Sequence, residues 1–208
     1  MRLVYNAVAG QSRERLEALS DGIFAFAMTL LVLDLRVPAI EGIHDERQLL
    51  AALAALAPNV VTWLMSFMTL GIFWVGQQTQ LDQLERTDRG FTWIHFVFLA
   101  CVTLVPFSTK LLSAFITYRS ALILYWLNIL ALGVMVVWSW RAARHRGLLK
   151  PGAEKLDRAV MSRVVIAQAL YAAGAALCLI NTYWSIGFIV LVQLNYAIAP
   201  RIRWLRDV

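Results

Sequence analysis

Apolar residues in this chain gather into long runs between charged positions. Four uncharged stretches stand out, of 34 residues (Gln48 to Leu81), 20 (Gly90 to Thr109), 21 (Ser120 to Trp140) and 37 (Val164 to Pro200). About 20 apolar residues in a helix match the roughly 30 Å hydrocarbon core of a bilayer, so these runs predict membrane spans. The first divides at Pro58, a residue that a helix accepts in its opening turn. Pro58 to Leu81 is then a span, and the preceding LLAALAALA is a short helix at the membrane interface or packed on the outer mouth. The last divides at the turn-like Asn181 to Ser185. A shorter run, Gly22 to Leu33, opens after Ser20 and Asp21 and closes at Asp34. It makes only about 18 Å of helix and reads as a span because of its neighbours. The pattern predicts an all-α integral membrane protein: a single domain over 1–208, with six spans at about 18–37, 58–81, 90–112, 120–141, 160–180 and 184–200.

Composition agrees, with 60% hydrophobic and 15% charged residues against about 25% charged in a soluble domain. No cleavable signal peptide is expected, because the first apolar run begins only after Ser20. When alternate loops are assigned to opposite sides, 15 of the 19 Lys and Arg residues fall on one side. Only Arg36, Arg47, Lys110 and Arg119 fall on the other. By the positive-inside rule both termini are cytoplasmic, in a multi-pass protein of the cell (inner or plasma) membrane. The net charge of +6 follows from this asymmetry. The basic segment RAARHRGLLKPGAEKLDR therefore meets anionic lipid headgroups, and nucleic acid is not an expected partner. Tyr118, Tyr125, Trp126, Trp138 and Trp140, near the ends of the fourth span, are read as an interfacial aromatic belt.

The chemistry-bearing residues give no argument for an enzyme, and none is expected. Cys101 and Cys178 lie within spans and make neither a disulfide framework nor a metal spacing. His44, His95 and His145 are scattered over an outer loop, a span and an inner loop. No nucleophile elbow, zincin motif or P-loop occurs, so no cofactor or bound metal is expected.

The first helix has two distinguishable faces. At about 100° per residue, with Phe26 at zero, Leu33 falls near −20°, Thr29 near −60° and Leu30 near +40°. Phe26, Thr29, Leu30 and Leu33 thus share a stripe, while Asp21, near −140°, and Ser20, near +120°, point away from it. Lipid or a neighbouring helix is the ordinary neighbour of such a stripe. Acidic groups at both ends of this span, together with Gly22, Ala25 and Ala27, favour a central, protein-shielded position.

The stretch RLEALSDGIFAFAMTLLVL, from Arg15 to Leu33, resembles the first-helix signature of the transmembrane protein 175 family of potassium channels in its bacterial, single-repeat form. Gly-Ile-Phe-Trp at 71–74, Arg-Thr-Asp-Arg at 86–89 and Pro-Phe-Ser-Thr at 106–109 resemble family positions in the second and third helices. The resemblance implies a homotetramer of six-helix subunits without a P-loop filter, its pore lined by the first helices. Phe26, Leu30 and Leu33 would be hydrophobic constrictions that gate by dewetting, and Thr29 a hydroxyl layer contributing to potassium preference. Permeant K+ is then the only ion implied. Asp34 would raise cation concentration at the outer mouth, or serve simply as a solvated helix-end charge. Arg15, Ser20 and Asp21 would belong to an interhelical network with Trp74, Gln77, Gln78 and His95; N-capping by Ser20 or Asp21 is the local alternative. The chain departs from the family pattern at Leu19 (usually Phe), Phe26 (commonly Ile), Gln77 and Gln78 (often His) and His95 (commonly Asn). Two other readings stay open: a proton-conducting pathway or secondary transporter, and a non-conducting membrane scaffold.

Overall fold

The computed structural model describes residues 12–38 and 42–198. The expected positions of both termini, and of Arg2, Arg201, Arg203 and Arg206, lie outside them. The described residues are helical almost throughout. Helix α1 spans Arg13–Leu31 and continues as a 3-10 turn over Val32–Asp34. Its cap is Ser12, whose hydroxyl accepts from the Arg15 amide at 3.3 Å. The capping role considered for Ser20 and Asp21 is therefore corrected: the helix starts two turns earlier, and both residues are interior to it.

Helix α2, Glu46–Ala55, is capped by Asp45 and buries no side chain, as an interfacial helix would. Helix α3 covers Ala57–Asp82 with Pro58 in its first turn. The third span is broken, with α4 over Arg89–Thr103 and α5 over Val105–Ala114. Pro106 supplies no backbone donor to the preceding turn, so the helix restarts around Leu104. Helix α6 spans Arg119–His145. A turn over Ala153–Leu156 leads into α7, Asp157–Ala176, which tightens over Leu177–Leu179. Helix α8 runs over Thr182–Ile198.

Among the described residues, five helical segments are long and apolar enough to cross a membrane: Arg13–Asp34, Ala57–Asp82, Arg89–Ala114, Arg119–His145 and Ala153–Leu179. Helix α8 has 17 described residues.

Packing follows the apolar pattern. Helix α1 lies against α3, α4 and α5; α6 packs on α4, α5 and α7; and α8 closes against α7 and α3. Phe24, Ala27 and Leu31 of α1 join Leu70, Phe98 and Val102 in one core cluster. A second cluster gathers Met65, Leu112, Leu122, Ile129 and Ile189. Gly174 permits the close approach of α7 and α8, because a Cβ there would meet Ile189 Cγ1 at 2.9 Å. Tyr125 and Trp140, each 1% exposed, correct the aromatic-belt expectation: both are core residues, whereas Tyr118 and Trp138 are exposed.

One end of the bundle is tied by its loops. Glu85 N donates to Leu148 O at 2.9 Å and Lys150 N to Gln83 O at 2.8 Å, forming a short antiparallel bridge. Arg13 reaches Leu84 O at 3.2 Å, and Arg146 pairs with Asp88 at 2.9 Å. At the opposite end Lys110 approaches Asp34, and Arg119 donates to Leu179 O at 3.0 Å. Among the described residues these loop contacts gather at two opposite ends of the bundle.

Candidate functional site

Helix α1 is buried on one side only. Leu16, Ser20, Phe24, Ala27 and Leu31, spaced by three and four residues, form its inner face. On the other side Phe26 is 65% and Leu33 68% exposed. Thr29 is exposed between them, and Leu30 is half-buried at the flank of the stripe. Gly22 and Ala25 extend the same bare surface toward the loop-tied end. The Thr29 hydroxyl donates to Phe26 O at 2.8 Å. Its proton is thereby used within the helix, and the oxygen presents acceptor lone pairs outward.

Polar contacts anchor the inner side. Ser20 Oγ is 2.7 Å from Leu16 O and 2.7 Å from His95 Nε2. A serine has one proton to give, and the carbonyl can only accept it. The imidazole therefore donates from Nε2, which fixes the tautomer of His95. The ring sits between Phe91 and Phe98, with centroids at 6.1 Å and 5.7 Å. One residue further along α1, Asp21 is exposed rather than turned inward with Ser20, and accepts from Trp74 Nε1 at 2.9 Å and from Gln78 Nε2 at 2.6 Å. Ser20 thus binds α1 to α4, and Asp21 binds it to α3.

Two residues expected in this network stand apart from it. Gln77 is 3% exposed, but neither its amide nitrogen nor its oxygen has a partner among the described residues. It faces a small cavity that Gln80, His95 and Ser139 also line. Arg15 is exposed at the start of the helix. Asp34, whose side chain is 14% exposed, lies 3.8 Å from Lys110 Nζ, so a cation already accompanies this outer carboxylate.

A second polar network was missed from the sequence. Ser66 Oγ lies 2.7 Å from Thr109 Oγ1, whose proton goes to Val105 O, and 3.2 Å from the Tyr125 hydroxyl. Tyr125 meets Thr69 at 3.1 Å, and Gln193 donates to Thr69 at 2.6 Å. Through Ser66 and Thr69 this network ties α3, α5 and α8 to α6. Hydroxyl residues on three helices and an amide on a fourth carry no spacing signal; only their lying on inward faces could have pointed to them.

Among the described residues, no group of three or more His, Cys, Asp or Glu could hold a metal ion. Taken together, these features define a multi-pass helical membrane protein whose first helix is tethered on one face and bare on the other. The family model described as "Endosomal/lysosomal potassium channel TMEM175" matches residues 15–106. A potassium channel of Chamaesiphon minutus is 31% identical over 191 residues, covering 88% of this chain and 93% of its own length. The human endosomal/lysosomal proton channel TMEM175 is 31% identical over 109 residues, 50% of this chain and 22% of that protein. The crystal structure of a lysosomal potassium-selective channel TMEM175 homolog from Chamaesiphon minutus superposes with a TM-score of 0.78. That likeness comes with 29% identity and covers 90% of this chain and 97% of the other. The chain belongs to the TMEM175 family, whose members are ion channels rather than enzymes.

Proposed function

We propose that this chain is the subunit of a potassium-preferring cation channel. Four copies bring their α1 helices around a central axis, and Phe26, Leu30 and Leu33 form the constrictions. In this reading the subunit is a single six-helix domain with both termini cytoplasmic and no P-loop filter, set in the cell membrane. The observation that carries it is the two-faced α1. A helix anchored by Ser20 and Asp21 leaves the side chains of Phe26, Thr29 and Leu33 exposed among the described residues. Small residues on the bare face, Gly22 and Ala25, let four helices approach closely. Apolar rings narrow enough to exclude water block ions by dewetting, and the outward Thr29 oxygens offer a cation partial replacement for its hydration shell.

Ion flux through purified protein in liposomes under a potassium gradient tests this. Wild type is expected to conduct, and Phe26→Ala and Leu30→Ala to conduct more or to discriminate less between potassium and sodium. If a folded, tetrameric preparation conducts in none of these forms, the channel reading fails. The name of the human relative favours protons as a second permeant species. The same vesicles loaded with a pH dye separate the two, because a proton pathway dissipates a pH gradient without a potassium gradient.

A further inference from the structure

Away from the bare face of α1, a groove opens between α3, α6, α7 and α8. Its walls are apolar, with Ile72 and Phe73 on one side and Val160, Val164 and Ala167 on the other. Along α7 it extends from Val160 to Tyr171, about 16 Å at 1.5 Å per residue. One leaflet of a bilayer core is roughly 15 Å deep, so the groove matches a single leaflet in length.

Gln168 and Tyr171 add polar atoms toward one end of α7, and Arg163 lies toward the end nearest the 146–156 loop. Arg163 lines that end, is exposed, and takes part in no ion pair among the described residues. The nearby acid Asp157 does not compete for it, being held by Arg144 at 2.6 Å and by Trp140 Nε1 at 2.8 Å. Tyr196 also lines the groove, and its buried hydroxyl has no partner. Lys155 and Arg158 are exposed near the same end of α7.

We infer that this groove holds one acyl chain of an anionic phospholipid, with the phosphate on Arg163 and an ester carbonyl on the Tyr196 hydroxyl. Within a membrane the adjoining solvent is hydrocarbon, and an apolar crevice left empty would forfeit dispersion contacts that a lipid chain supplies. A guanidinium pairs with phosphate bidentately, and a single cation at the mouth favours an anionic headgroup over a zwitterionic one. The inference needs only a membrane-embedded chain and is independent of ion conduction.

Gly76 offers a clean probe. A Cβ built there meets no atom within 4 Å, so a substitution starts into the groove without a clash at Cβ. Native mass spectrometry of the full chain, titrated with phosphatidylglycerol or phosphatidylcholine, reads the site in wild type, Arg163→Gln, Arg163→Lys and Gly76→Phe. Wild type is expected to retain phosphatidylglycerol preferentially. Arg163→Gln is expected to lower that preference about five-fold, and Arg163→Lys to keep most of it. Gly76→Phe should reduce retention of both lipids while its melting temperature stays near wild type. Equal retention of both lipids by wild type, or unchanged retention in Arg163→Gln and Gly76→Phe, overturns the proposal. So does a Gly76→Phe variant that alters subunit assembly by light scattering but not lipid binding, since the groove is then a contact between copies.

Discussion

Ser20 of α1 and His95 of α4 are joined by a 2.7 Å hydrogen bond at a point where neither side chain has access to solvent. The bond crosses 75 residues of sequence and sets the rotation of the first helix against the third span. Rotation of α1 by one residue, about 100°, would carry Ser20 off the imidazole and turn Phe26 away from the bare surface.

Removing one partner strands the other. Ser20→Ala leaves a buried imidazole donor unsatisfied and is expected to destabilise the protein by about 1–3 kcal/mol. The Ser20→Ala/His95→Leu pair is expected to lose less than the sum of the two single variants, with a coupling of about 0.5–2 kcal/mol in detergent unfolding. Additive losses would mean that the two side chains do not interact.

Tyr125→Phe removes the hydroxyl that Ser66 and Thr69 both contact, in a ring 1% exposed. Two buried hydroxyls then lose a partner while the apolar packing survives. A loss of about 1–2 kcal/mol is expected, read as a lower melting temperature with unchanged helix content by circular dichroism.

Asp88 governs the acid limb of stability at the loop-tied end. Burial alone would raise its pKa, but the Phe91 amide, Arg146 and the Gly90 amide outweigh it and hold the carboxyl below its ordinary value of 3.8. A group depressed in the folded state contributes stability above the unfolded pKa, and that contribution is lost as the pH falls through the folded value. Between neutrality and pH 5 the melting temperature should therefore be insensitive to this group, with a decline below about pH 4. Asp88→Asn, which keeps a side-chain acceptor for the Phe91 amide, should flatten that decline; an unchanged acid limb would assign it elsewhere.

Lys110 tempers the charge of Asp34 at the end remote from the loop clamp. Under the channel reading, Lys110→Gln leaves the outer carboxylate uncompensated and raises cation flux at low ionic strength. The gain should shrink toward zero at about 1 M salt, where the screening length falls to roughly 3 Å. A gain that persists at high salt would rule out an electrostatic origin.

Much of this architecture was legible because hydrocarbon imposes a length on apolar runs. Pro58 and Asn181 marked divisions that the helices respect. The stripe of Phe26, Thr29 and Leu33 was legible because a helical wheel needs no knowledge of neighbours, and the inward turn of Ser20 came from the same wheel. Contacts between helices were not. Gln77 and Gln78 are adjacent in sequence, yet only Gln78 reaches Asp21, because the two amides leave α3 about 100° apart. Trp140 looked interfacial from its position near a helix end, but it turns inward to Asp157 across a loop whose path the sequence does not reveal. The start of α1 was misplaced for a simpler reason: charged residues fill its first two turns, and hydropathy does not register a helix that projects beyond the apolar core.

The short bridge between Glu85, Leu148, Gln83 and Lys150 is made by peptide groups alone. Its strength is therefore indifferent to which side chains occupy those positions. Mutational drift in these two loops can recolour the membrane-facing charge of the protein while the geometry that unites its first three spans with the later ones persists. Proline is the exception, since at position 85 or 150 it would delete the donor on which the junction depends.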